Sequence, residues 1–162
     1  MQKFYEINID SEPSKEIDNV DIAKIALAHV NSFVNNDYYE LLGVHGLSHG
    51  ISIIISDIDG NFVLGHFLDN FNVNVYDMLG GLNTHHPLRV MVIPGAVATM
   101  ESVNDILVFL GNITNMVLYQ FETDIVNLGN FIVDGKIDFA INTKTLEFLK
   151  PNYEAINMKG RI

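Results

Sequence analysis

The run Ile51-Ser52-Ile53-Ile54-Ile55-Ser56 constrains this chain more than any other stretch. It is short, apolar and β-branched, which favours a buried strand over a helix. Asp57-Ile58-Asp59-Gly60 follows as a turn signal, with Gly60 free to take positive φ. Asn61 to Phe67 then reads as the return strand of a hairpin. Upstream, Gly43 to Gly50 reads as a glycine- and histidine-rich turn. Pairing the two strands puts the start of the first and the finish of the second at one end of the sheet. That predicts His49 and His66 as neighbours across the ladder, with His45 close by. Any chemistry, inherited or current, is expected there.

The remaining elements follow from periodicity. Lys3 to Ile9 alternates and reads as a first strand, and Ser11 to Asp18 as a loop around Pro13. Asp18 or Asp21 opens a helix whose apolar face is Ile22, Ile25, Ala26, Val30, Phe33 and Val34. His29 lies within that span as a packing or surface residue. Leu68 to Tyr76 reads as a strand or extended loop, and Asn83 to Pro87 as a loop. Leu88 to Ile93 is another buried strand. Thr99 is the N-cap of a second helix, with Val103, Ile106, Leu107 and Leu110 as its face and Gly111 as its stop. Met116 to Phe121 reads as a strand, and Asp134-Gly135 as the turn of a closing hairpin. A last short strand runs from Leu146 to Leu149. The expected class is α+β: a mostly antiparallel mixed sheet or sandwich with two main helices covering one face.

Length and charge narrow the rest. At 162 residues, 48% apolar, the chain reads as one packed domain spanning 1–162. A domain of this size buries roughly 70% of its unfolded surface and needs no covalent staples. The charge of −11, from 20 acidic and 9 basic residues, argues against nucleic acid and anionic membrane surfaces as partners. It is compatible with a basic protein partner. No apolar run approaches the about 18–20 residues that span a bilayer. Met1 to Asp10 shows no secretory signal, so a cytoplasmic protein is the expectation, and signal-less secretion is equally compatible. The absence of cysteine removes disulfides, thiolate metal sites and a thiol nucleophile.

The order of elements, with Gly46-Leu47-Ser48-His49 leading into one strand and Val63-Leu64-Gly65-His66 closing the next, resembles CheD-type chemoreceptor glutamine deamidases. It is similar also to the wider cysteine-histidine deamidase fold, including the catalytic domain of the cytotoxic necrotizing factors. Leu128-Gly129 and the stretch Asp138 to Glu147 resemble that family's closing strands, so the likeness covers roughly residues 40–150. The resemblance implies an α+β fold and attack of a thiolate on a glutamine carboxamide, with a histidine taking up and returning the proton. His66 matches that histidine. The cysteine's position is held by His49, or by Gly50 after a one-residue shift, and a helper threonine's position by Gly43. The base is kept and the nucleophile is not.

Three readings of His45, His49 and His66 follow. In the first, a deamidase fold has lost catalysis and binds a protein partner. In the second, an active hydrolase or amidase uses Ser48 as nucleophile with His66 or His49 as base; Ser48 is otherwise a turn residue bonding its own backbone. In the third, His45, His49 and His66, with His85 or His86, offer imidazoles to a transition metal such as Zn²⁺. The expectation taken forward is the first: a noncatalytic or functionally diverged relative that binds a protein partner through the histidine-bearing end of the sheet, with no cofactor required.

Overall fold

The computed structural model describes residues 3–8, 16–17, 24–68, 76–117, 120–151 and 153. The chain is α+β, built from two mixed sheets. The first sheet runs in the order β1 (Lys3–Asn8), β9 (Phe121–Asn127), β8 (Leu88–Pro94), β6 (Ile51–Ser56), β7 (Phe62–Phe67), β4 (Ser32–Asn35). The second runs β2 (Glu16–Ile17), β12 (Phe148–Pro151), β11 (Lys136–Asn142), β5 (Leu41–Leu47), β3 (Ile25–Leu27), with β10 (Ile132–Val133) paired to β11. Pairs β6·β7, β6·β8, β4·β7, β5·β11 and β11·β12 are antiparallel. Pairs β1·β9, β8·β9, β3·β5 and β2·β12 are parallel. The long helix α1 (Met100–Val117) and a helical turn at 76–79 accompany the first sheet.

The isoleucine run forms β6, and all six of its residues are buried. Side chains alternate across a strand, so this one serves two cores. Ile51, Ile53 and Ile55 pack with Val63, Phe67 and Val92 against Val103, Ile106 and Leu110 of α1. Met78 and Leu79 from the helical turn join that layer. Ile54 points the other way, with Leu64, Met91 and Ile93, against Val44, Phe139 and Ile141 of the second sheet. The layers are therefore helix, sheet, sheet. A smaller cluster of Ala140, Leu149 and Tyr153, flanked by Ile25 and Leu41, covers the far side of the second sheet. Each large aliphatic buried in these layers contributes about 1.5–3 kcal/mol.

Turn chemistry sets the hairpins. Asp57 accepts from the Asp59, Asn61 and Asn83 amides and from Asn61 Nδ2, at 2.8–3.0 Å. Gly60 takes φ 84° to close the loop. The β10–β11 turn has φ 53° at Asp134 and 73° at Gly135, the two left-handed residues that a tight hairpin demands. Thr99 caps α1, its Oγ1 accepting from the Ser102 amide at 3.2 Å.

Four expectations are corrected. Over the described residues 24–34 the expected helix is not formed: 25–27 is β3 and 32–35 is β4, so the first of the two expected main helices is absent there. The residues 18–23 proposed as its start lie outside the described set. Asn31, at φ 59°, breaks the chain between the two strands and sends them to different sheets. The apolar residues at 25, 26, 33 and 34 fall on two short edge strands instead of one helical stripe, and Val30 lies exposed in the turn between them. The supposed turn at 43–50 is strand as far as Leu47. Helix α1 runs through Gly111 to Val117, so Met116 belongs to it and not to a strand. Of the stretch 68–76, residues 69–75 lie outside the described set, and Tyr76 begins the helical turn. Among the described residues no helix is long and apolar enough to cross a membrane.

Candidate functional site

The β6–β7 register pairs Ile51 with Phe67 and Ser52 with His66. His66 therefore faces Ser52 and not His49, which corrects the expected pairing. His49 lies outside the ladder, exposed, in the turn at 48–50 that carries the chain from the second sheet to the first. That turn is packed backbone to backbone. The Gly95 amide donates to the Gly50 carbonyl at 2.9 Å and the Val97 amide to the Ser48 carbonyl at 3.0 Å. A Cβ built at Gly95 would stand 2.2 Å from the Ser48 carbonyl oxygen, and one at Gly50 2.3 Å from that of Phe67. Ser48 thus contributes its carbonyl to the turn. Among the described residues no hydrogen bond joins the Ser48 hydroxyl, the His49 ring and the His66 ring to one another.

His66 is 3% exposed, on the side of β7 that faces the second sheet. Above it passes the crossover at 28–31. The Ala28 amide donates to the Gly43 carbonyl in the second sheet at 2.9 Å, and the Asn31 amide to the His66 carbonyl in the first at 2.6 Å. The Asn31 side chain accepts from the Leu68 amide at 3.2 Å. Burial pushes the His66 imidazole below its ordinary range; a hydrogen bond to the Ala28 backbone works against this, and nearby His29 adds to the lowering. Its Nδ1 is buried with no hydrogen-bond partner. The ring is neutral at physiological pH, with neither an acid to orient it nor a nucleophile to serve.

His45 is engaged elsewhere. Its Nδ1 donates to Asp138 Oδ1 at 2.9 Å, and the Gly46 amide donates to the same oxygen at 2.7 Å. The Tyr153 ring stands edge-on to the imidazole at 5.4 Å, and its hydroxyl donates to the Phe139 carbonyl at 3.0 Å. Burial, with Asp138 adding to it, raises the Tyr153 hydroxyl far above its ordinary range, so it stays protonated. Sequence reasoning grouped His45 with His49 and His66 and missed Asp138, which lies 93 positions along the chain. Nothing local in Lys136 to Asn142 marks that aspartate; only the strand pairing of β5 with β11 brings it close.

Among the described residues no three histidine, aspartate or glutamate side chains gather closely enough to hold an ion, and His45, His49, His66, His85 and His86 are all described. His85 and His86 stand exposed in their loop, where the His85 amide donates to Asn83 Oδ1. Comparison with protein-family models gave no match, and neither did comparison with curated proteins.

Proposed function

We propose that this chain is a diverged relative of the CheD-type glutamine deamidases, noncatalytic at that family's own site, one that has lost deamidation and acts by holding a protein partner. The observation that carries the reading is the state of His66. The imidazole that corresponds to the family's proton carrier is buried under the 28–31 crossover with Nδ1 unpaired, and the position of the thiol is held by exposed His49. A base so placed has no hydroxyl or thiol in hydrogen-bond contact to activate.

Binding is supported by what surrounds that end. Val30 and Phe33 on the crossover and edge strand, and Leu68 just after β7, are exposed large apolar residues. An acidic chain with such a rim suits a basic partner that brings apolar side chains of its own. The deamidation half is tested by ammonia release from glutamine-bearing proteins. Wild type and His66→Ala are expected to match the buffer blank, and a wild-type rate above that of His66→Ala overturns the reading. The binding half is tested by capture with wild type and with Phe33→Asp/Leu68→Asp. A partner held equally by both would remove this end as the binding surface.

A further inference from the structure

Three features of the second sheet converge on one side chain, His45. The β5–β11 register pairs Ile137 with Leu47 and then Phe139 with Val44, so His45 and Gly46 together face Asp138. This is a bulge, and Gly46 supports it at φ 72°. The bulge aims both the Gly46 amide and the His45 ring at one carboxylate oxygen, at 2.7 and 2.9 Å. Tyr153 then fixes the ring from the side, its hydroxyl anchored on Phe139. A Cβ at Gly43 would lie 2.2 Å from that hydroxyl, so a glycine there is what admits the tyrosine.

An ordinary exposed ion pair needs none of this support. A carboxylate only accepts, so the Asp138 bond holds a proton on Nδ1, and the tautomer it selects carries its lone pair on Nε2. The His45 side chain is 43% exposed, and among the described residues no hydrogen bond occupies Nε2. Base and orienting acid are therefore both in place, as in a hydrolytic triad. No hydroxyl among the described residues is hydrogen-bonded to His45, and that of Tyr153 is committed to Phe139. The nucleophile on this arrangement comes from solvent.

We propose that His45, oriented by Asp138, is a general base that activates water for the hydrolysis of small acyl esters, at a site on the outer face of the second sheet. The water proton passes to Nε2 as the water oxygen bonds to the acyl carbon and the carbonyl electron pair moves onto its oxygen. Collapse of that intermediate breaks the bond to the alcohol oxygen, which leaves with the electron pair and takes the proton back from the imidazolium. Nothing is oxidised or reduced. His45 is the catalytic residue, and Asp138 is a positioning residue. The proposal does not depend on the fate of the His66 end.

The test uses the full chain and p-nitrophenyl acetate. His45→Ala is expected to lose about 100-fold in kcat/KM, and Asp138→Asn about 10-fold. The imidazole nitrogen spectrum of His45 shows the Nδ1–H tautomer in wild type and loses that preference in Asp138→Asn. His86→Ala, on an exposed loop, keeps the wild-type rate. Thermal melts establish that each variant is folded, and His45→Gln replaces His45→Ala if the latter is not. A wild-type rate equal to that of the His45 variant, or an Asp138→Asn protein unchanged in both rate and tautomer, overturns the proposal and leaves the pair a support of the bulge. Ammonia release at the other end is a separate measurement, so the two readings fail independently.

Discussion

Ser52 and His66 stand directly opposite each other in the β6–β7 ladder, yet the Ser52 hydroxyl donates to the Gly65 carbonyl at 2.8 Å. The serine thus satisfies backbone and leaves the imidazole alone. Replacing it by alanine removes one buried hydrogen bond and costs about 1 kcal/mol. Chemical denaturation of Ser52→Ala should show that loss without a change in slope.

His66 gives the chain an acid-sensitive step. Unfolded, its ring titrates near 6.5; folded, burial holds it lower. Above 6.5 it is neutral in both states, and its contribution is fully present. As pH falls below 6.5 the unfolded chain takes up the proton first, so stability declines through the window down to the folded value. Melting temperatures between pH 7.5 and 5.5 should fall more steeply for wild type than for His66→Gln.

Asp57 sets a second, lower window. Burial raises its carboxyl, but the bonds from Asn83, Asn61 and Asp59 outweigh it, and the net shift is below 3.8. Its contribution is present above 3.8 and is lost as pH falls further. Asp57→Ala frees the donors of the hairpin turn and of Asn83 together, and should cost about 2 kcal/mol at neutral pH by denaturant titration.

Two glycines of like appearance in the sequence should behave oppositely. At Gly95 an added methyl meets the Ser48 and Gly50 carbonyl oxygens at 2.2 and 2.7 Å, and backbone cannot step aside as a side chain does. Gly95→Ala should cost about 3 kcal/mol. At Gly81 nothing lies within 4 Å of the built methyl, and Gly81→Ala should fall within about 0.5 kcal/mol of wild type by the same titration.

Local chemistry was readable where it decides structure by itself. The run at 51–56, its Asp57–Gly60 turn, the Asp134-Gly135 hairpin and the Thr99 cap all carry their geometry in a few adjacent residues. Reading failed where the outcome rests on distant partners. Ile25, Ala26, Phe33 and Val34 fit a helical stripe as well as two strands, and the neighbours β5 and β7 decide between them. The same holds at the site. The expected hairpin pairing suggested His45, His49 and His66 as one group, whereas a one-residue bulge turned His45 to Asp138 and the actual register left His49 outside.

Because alternate residues of β6 belong to separate hydrophobic layers, neither layer can come apart while the other stays intact. Helix and outer sheet are thereby tied to one spine, and heat should dissolve both in a single cooperative event.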